Sequence, residues 1–222
     1  MKRILFVGVL LLLAVPIAYH FLGPQGKVKA LPVINPIDVQ QDMVDPEMLR
    51  IGKGHRVGAF RFQNQDAKWI TDADMRGRVS VVEYFFTTCK SICPIMNSQM
   101  ERIQKKFSGQ PDVRIFSFTV DPETDTVAQM KRCATQHHAK AGQWHFLTGE
   151  KSALYALARR SFFVLKPAEA QNLGDAGSDF IHTNNFVLID QKMRIRGYYD
   201  GTSPKEVSLL QAHIEQLLAD PQ

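Results

Sequence analysis

Cys89 and Cys93 are the residues whose type and spacing point most directly to chemistry. They sit where an apolar, β-branched run, Val79-Ser80-Val81-Val82-Glu83-Tyr84-Phe85-Phe86, gives way to a helical period at Met96, Met100, Ile103 and Phe107. The run predicts a buried strand. Pro94 has no N–H to lose and fits the first turn of the helix that follows. The unpaired N–H groups and partial positive charge of a helix start favour a thiolate, which is both the nucleophile of disulfide exchange and the form that binds metal. A spacing of one helical turn lets both sulfurs point the same way. Such a pair can close a disulfide or hold one soft metal ion; two plain structural cysteines are the bland alternative.

The elements around this pair follow from composition and period. A chain of 222 residues, 45% apolar and 22% charged, has room for one sizeable core plus an appendage. A net charge of +5 with scattered basic residues gives no footprint for nucleic acid. Three cysteines are too few for a disulfide scaffold, and Cys133, alone in a helical pattern, reads as inert core. Lys2 and Arg3 precede a nearly unbroken apolar run from Ile4 to Leu22. At about 1.5 Å per residue that run is long enough to cross a hydrocarbon layer of about 30 Å. No small-x-small cleavage site follows it, so residues 1–23 are expected to be an uncleaved transmembrane anchor. The leading positive charges place its N-terminus in the cytoplasm and the domain outside. Residues 24–54, with Pro24, Pro32, Pro36 and Pro46 and no sustained period, read as a tether.

The folded domain is expected over residues 55–222. Phe60-Arg61-Phe62 and Lys68-Trp69-Ile70 flank a turn and suggest a hairpin. After the central strand and its helix, Val113 to Val120 reads as a second buried strand, and Asp121-Pro122-Glu123-Thr124-Asp125 leads into a helix from about Thr126 to His138. Trp144 to Leu147 is a short strand and Lys151 to Arg160 a helix. Residues 166–181 form a long loop of the kind that is functional or mobile. Phe186 to Ile189 and Met193 to Tyr199 make a second hairpin, and Ser203-Pro204 opens a closing helix. The predicted fold is α/β: a thioredoxin-like sheet flanked by helices, with an N-terminal hairpin and an N-terminal transmembrane helix.

That fold resemblance separates redox from metal chemistry in part. Thioredoxin-type enzymes space their cysteines by two residues, not three, and the resemblance implies a proline facing them just before the next strand. No proline occurs from Ala168 to Ser203; His182-Thr183 takes the place. A sheet folded as predicted sets His182 opposite Cys89 and Cys93. Two thiolates and one imidazole suit Cu(I) at low coordination number, whereas a structural zinc site wants a fourth ligand. His55, His137, His138 and His213 read as solvated or structural and His145 as core. Met96 and Met100 read as core, and Asp121 and Asp125 as turn and cap residues, with partner docking as the alternative.

From about residue 55 to 220 the chain resembles the Sco (SenC) copper proteins of cytochrome oxidase assembly. The likeness rests on Phe86-x-Thr88-Cys89-x-x-x-Cys93-Pro94, on Val120-Asp121-Pro122-Glu123-Thr124-Asp125-Thr126, on Trp144-x-Phe146-Leu147-Thr148-Gly149, and on His182 leading into Phe186-Val187-Leu188-Ile189-Asp190. The resemblance implies copper, Cu(I) and in some states Cu(II), held by Cys89, Cys93 and His182. It further implies an inner-membrane, single-pass protein facing the periplasm, and partnership with the copper-bearing subunit of cytochrome c oxidase and with other copper chaperones or thiol reductants. The expected function is that of a metallochaperone more than an enzyme. The alternative is a thiol–disulfide oxidoreductase that reduces the client's cysteines through Cys89 and Cys93; a thiol peroxidase stands well behind both. Lys90 replaces the proline many members have after the first cysteine. Ile181 stands where many have an acid before the histidine, with Asp179 two residues earlier.

Overall fold

The computed structural model describes residues 30–165 and 184–219. A seven-stranded sheet runs in the order β2-β1-β5-β4-β3-β6-β7, built from β1 (Arg61–Asn64), β2 (Trp69–Thr71), β3 (Val79–Phe85), β4 (Val113–Thr119), β5 (Trp144–Thr148), β6 (Asn185–Ile189) and β7 (Ile195–Asp200). The longer helices of the described residues are α1 (Cys93–Lys106), α2 (Val127–Gln136), α3 (Lys151–Leu157) and α4 (Pro204–Ala219), beside a single turn at Pro46–Leu49. β3, β4 and β5 are parallel neighbours joined through α1 and α2, while β1, β6 and β7 pair antiparallel. The hairpin read at Phe60 to Ile70 is present, with Phe62 opposite Ile70. No helix of the described residues is long and apolar enough to cross a membrane; the expected anchor, residues 1–23, lies outside them.

Alternation along the strands divides the core between the two faces of the sheet. Val79, Val81 and Phe85 of β3 pack with Met96, Met100 and Ile103 of α1, Met130 of α2, and Val207, Leu210 and Ile214 of α4. Val82 and Tyr84 turn the other way, toward Phe116, Phe118, Leu154 and Phe162. The central strand is therefore buried along its whole length, as its unbroken apolar run requires. α3 continues as a turn of π-helix, Ala158–Phe162, and ends on Phe163 at φ 52°.

Residues 31–54, expected as part of a tether, pack against the domain instead. The Ile34 N–H donates to the Ile195 carbonyl at 2.9 Å, and Asn35 Oδ1 accepts from the Gly54 N–H at 2.9 Å. Arg196 donates from Nε to the Pro32 carbonyl at 2.9 Å and from Nη2 to the Leu31 carbonyl. Leu31 and Val44 are buried. The physical reason is that this stretch is held by a distant arginine and by carbonyl contacts, which leave no period in its own sequence.

Candidate metal centre

β3 delivers the chain to the cysteines and α1 takes it away. The strand closes at Phe85, where the Val120 N–H donates to the Phe85 carbonyl at 2.9 Å. A tight turn follows, its Cys89 N–H donating to the Phe86 carbonyl at 3.2 Å. α1 starts at Cys93 with Pro94 in its first turn, and the Ile95 and Met96 N–H groups both donate to the Ile92 carbonyl at 3.0 Å. No side chain caps this helix, so its free N–H groups face the preceding turn, where Cys89 sits.

The two thiols are brought together in unequal surroundings. Cys89 is half-buried, with its Sγ 3.6 Å from Ser91 Oγ. Burial works against its ionisation, but hydrogen bonds from the Cys93 thiol, the Cys93 and Ser91 backbone N–H groups and the Ser91 hydroxyl prevail. The Cys89 thiol is held down at about 7. Cys93 is only 5% exposed. Burial, and the donation of its own proton to Cys89, push the Cys93 thiol well up. One sulfur is thus primed as a thiolate at the surface while the other guards its proton inside. Iodoacetamide is expected to label Cys89 with a midpoint near pH 7 and to spare Cys93 and Cys133, as read by peptide mapping of the folded chain. A midpoint at the free-thiol value of about 8.5 would remove the proposed asymmetry.

The other candidates fall into place as core or surface. Cys133 on α2 is buried, and burial pushes its thiol up to about 12. Met96 and Met100 are core, 1% and 0% exposed. His145 is buried against Phe116. His55, expected to be solvated or structural, is buried, its Nε2 2.9 Å from the Ser161 carbonyl. His137 lies between Glu101 at 2.8 Å and Asn97 at 3.2 Å, and His213 bonds Tyr199 at 2.6 Å. Among the described residues no three His, Cys, Asp or Glu side chains gather into a metal-binding group. The third expected ligand, His182, lies outside the described residues, as does Asp179.

Sequence reasoning missed the part played by Asp125. The cap of α2 is Thr126, whose side chain accepts from the Gln129 N–H at 3.3 Å. Asp125 itself is 0% exposed and bonds back to Thr87 in the cysteine turn. The signal lay in position: Asp125 follows β4, the parallel neighbour of the strand that leads into the cysteine turn, and side chains beyond the carboxyl ends of parallel strands converge.

Comparison with known proteins gives the same frame. The family model described as SCO1/SenC matches residues 50–219. The SCO1 protein homolog of Bacillus subtilis (strain 168) is 36% identical over 149 residues, 66% of this chain and 75% of that protein. The solved structure of BsSco, described as a member of the Sco family of cytochrome c oxidase assembly proteins with a disulfide switch, superposes with a TM-score of 0.61. It is 30% identical, over 73% of this chain and 93% of that one. Arabidopsis thaliana ScoI, solved with copper bound, superposes with a TM-score of 0.56 at 22% identity over 73% of this chain and 97% of that one, a likeness of fold alone. The matched family model spans most of the domain, from the segment before β1 to the end of α4, and the chain belongs to the SCO1/SenC family.

Proposed function

We propose that this chain is a membrane-anchored copper metallochaperone that carries copper on Cys89, Cys93 and His182 and hands it to the binuclear copper site of a cytochrome c oxidase. Residues 1–23 are the anchor, the segment up to residue 30 is what remains of the tether, and the domain faces the periplasm of a bacterial envelope. The observation that carries the reading is the thiol pair itself: two sulfurs on one strand-to-helix turn, one half-exposed with its thiol near 7. Thiolate and imidazole are soft donors suited to Cu(I). Copper is the cargo here. The Cys89 thiolate meets the incoming ion first, and Cys93 must release its proton before it can join, so loading is coupled to deprotonation. The exposed side of Cys89 is the side from which a partner's ligands can take the ion away.

A second reading is favoured by the same asymmetry. A low-pKa thiol backed by a buried partner is the arrangement of a thiol–disulfide oxidoreductase, with Cys89 attacking a client disulfide and Cys93 resolving the mixed disulfide. The chemistries exclude each other at any instant, since a disulfide cannot supply two thiolates.

Anaerobic reconstitution of the reduced protein with Cu(I), then Cu(II), separates them. Metal counting and thiolate-to-copper absorption are expected to give stoichiometric copper in the parent and its loss in His182→Ala, with dithiol–disulfide cycling intact in that variant. Stoichiometric copper in His182→Ala overturns the ligand set. A reduced parent that binds no copper yet rapidly reduces a client disulfide gives the protein to the second reading.

A further inference from the structure

The cysteine turn is fastened to the neighbouring strand from one side, by one carboxylate. Thr87, two residues before Cys89, points both of its donors at Asp125. Its N–H lies 3.2 Å from Oδ2 and 3.3 Å from Oδ1, and its hydroxyl donates to Oδ1. The Thr119 hydroxyl, at the end of β4, donates to Asp125 Oδ2 at 2.6 Å. Gln129 of α2 adds a bond from Nε2 to Thr87 Oγ1 at 3.2 Å. Asp125 is held in its turn by its own N–H, which donates to the Asp121 carbonyl at 2.8 Å. The carboxylate is fully buried, so it is closed to solvent and to a docking partner.

This fastening lies beyond the sheet. The β3–β4 ladder ends at Phe85 opposite Thr119, and Asp125 grips the chain two residues further on. The peptide group it thereby fixes, Phe86–Thr87, places Cys89, because its Phe86 carbonyl accepts from the Cys89 N–H; the adjoining Phe86 N–H donates to the Cys93 sulfur. A rotation of the chain at Thr87 would therefore swing Cys89 away from Cys93. We propose that Asp125 is the positioning residue of the thiol pair, holding the Thr87 turn so that Cys89 and Cys93 act as one unit in disulfide closure and in metal capture. The proposal rests on these cysteines being the working pair, and it stands whether the cargo is copper or the chemistry is thiol exchange.

Pre-placed sulfurs have a high effective concentration for one another, and loosening the turn lowers it. Asp125→Asn presents one acceptor oxygen to the three donors that now share two, and sets N–H groups against them. The dithiol–disulfide equilibrium of the folded protein against glutathione reads the effect directly. Two electrons pass from the thiols to glutathione disulfide, one Cys89–Cys93 bond forms, and two glutathione thiols are released. Asp125→Asn is expected to lower that equilibrium constant about tenfold, a rise of about 30 mV in the potential of the pair. Thr87→Val, which removes only the hydroxyl, is expected to move it the same way by less, and Thr87→Ser to restore the parent value. A merely structural role would lower the unfolding midpoint and leave this constant alone. A parent constant in folded Asp125→Asn overturns the proposal; if Asp125→Asn does not fold, a parent constant in Thr87→Val does so. The measurement contains no copper, so a failure of the copper reading cannot be mistaken for a failure of this one.

Discussion

Replacing Arg196 by Met is expected to lower the free energy of unfolding by roughly 3–5 kcal/mol. The guanidinium is buried, its side chain 0% exposed, and its Nη1 lies 2.9 Å from Asp190 Oδ2, which is equally buried. Desolvation works to raise the Asp190 carboxyl, yet hydrogen bonds from Arg194 and Arg196 overcome it and hold that group below the usual carboxylate range. The remaining Arg196 donors reach the Leu31 and Pro32 carbonyls. Methionine fills much of the volume and offers none of these bonds. Each charged hydrogen bond to a carbonyl contributes about 1.5–3 kcal/mol. The loss is expected to show first as freeing of residues 31–54. Limited proteolysis should therefore cut within that segment before global unfolding, and urea titration should give the total. Arg194→Met is the control: Arg194 bonds the same aspartate from a more exposed place, its side chain 20% exposed, and about 1 kcal/mol is expected. A loss below about 1 kcal/mol in Arg196→Met would mean that the segment is held by its other contacts and not by this arginine.

This latch also explains what the sequence could and could not convey. Strands and helices announced themselves through period: the unbroken run at Val79 to Phe85 became the doubly covered β3, and Met96, Met100 and Ile103 became the buried stripe of α1. The hairpins and the closing helix were legible for the same reason. Residues 31–54 were not, because the partners that fasten them to the sheet, Ile195 and Arg196, are more than a hundred residues away and their own pattern is only prolines and scattered apolar groups. Arg196, a charge in an edge strand, reads as surface until its two carbonyl partners are seen. Asp125 was legible as a turn residue but not as a buried acceptor, since both roles favour the same residue type and only the parallel pairing of β3 with β4 tells them apart. The cysteine pair was plain from spacing alone. The inequality of its two thiols was not, since it depends on which sulfur the fold buries.

Between about pH 5 and pH 7 two buried groups on opposite faces of the sheet are expected to push the stability of the parent in opposite directions. Glu83 is 1% exposed in the middle of β3. Its Oε1 accepts from the Ser117 hydroxyl at 2.5 Å, which in turn accepts from Trp144 Nε1 at 2.8 Å. Among the described residues its Oε2 has no hydrogen-bond partner. Burial pushes the carboxyl up to about 7 against the weaker pull of Ser117. The folded chain thus holds a proton that the unfolded chain has lost above its ordinary value near 4.5. Its contribution is full below that value and fades as pH rises through 7, by about 3 kcal/mol in total. His145 does the reverse. Burial lowers it from 6.5 to about 4, so the unfolded chain binds the extra proton, and stability grows by a similar amount as pH rises toward 6.5. Glu83→Gln removes one side of the balance. Urea unfolding of that variant is expected to show stability climbing with pH. Its stability relative to the parent should rise by about 2 kcal/mol between pH 5 and pH 7.5, whatever constant offset the amide introduces. His145→Gln should tilt the other way. If the Glu83→Gln difference is the same at both pH values, Glu83 is ionised throughout the window. β3, which leads into the cysteine turn, would then hold a full negative charge at its centre, and that charge works to raise the Cys93 thiol.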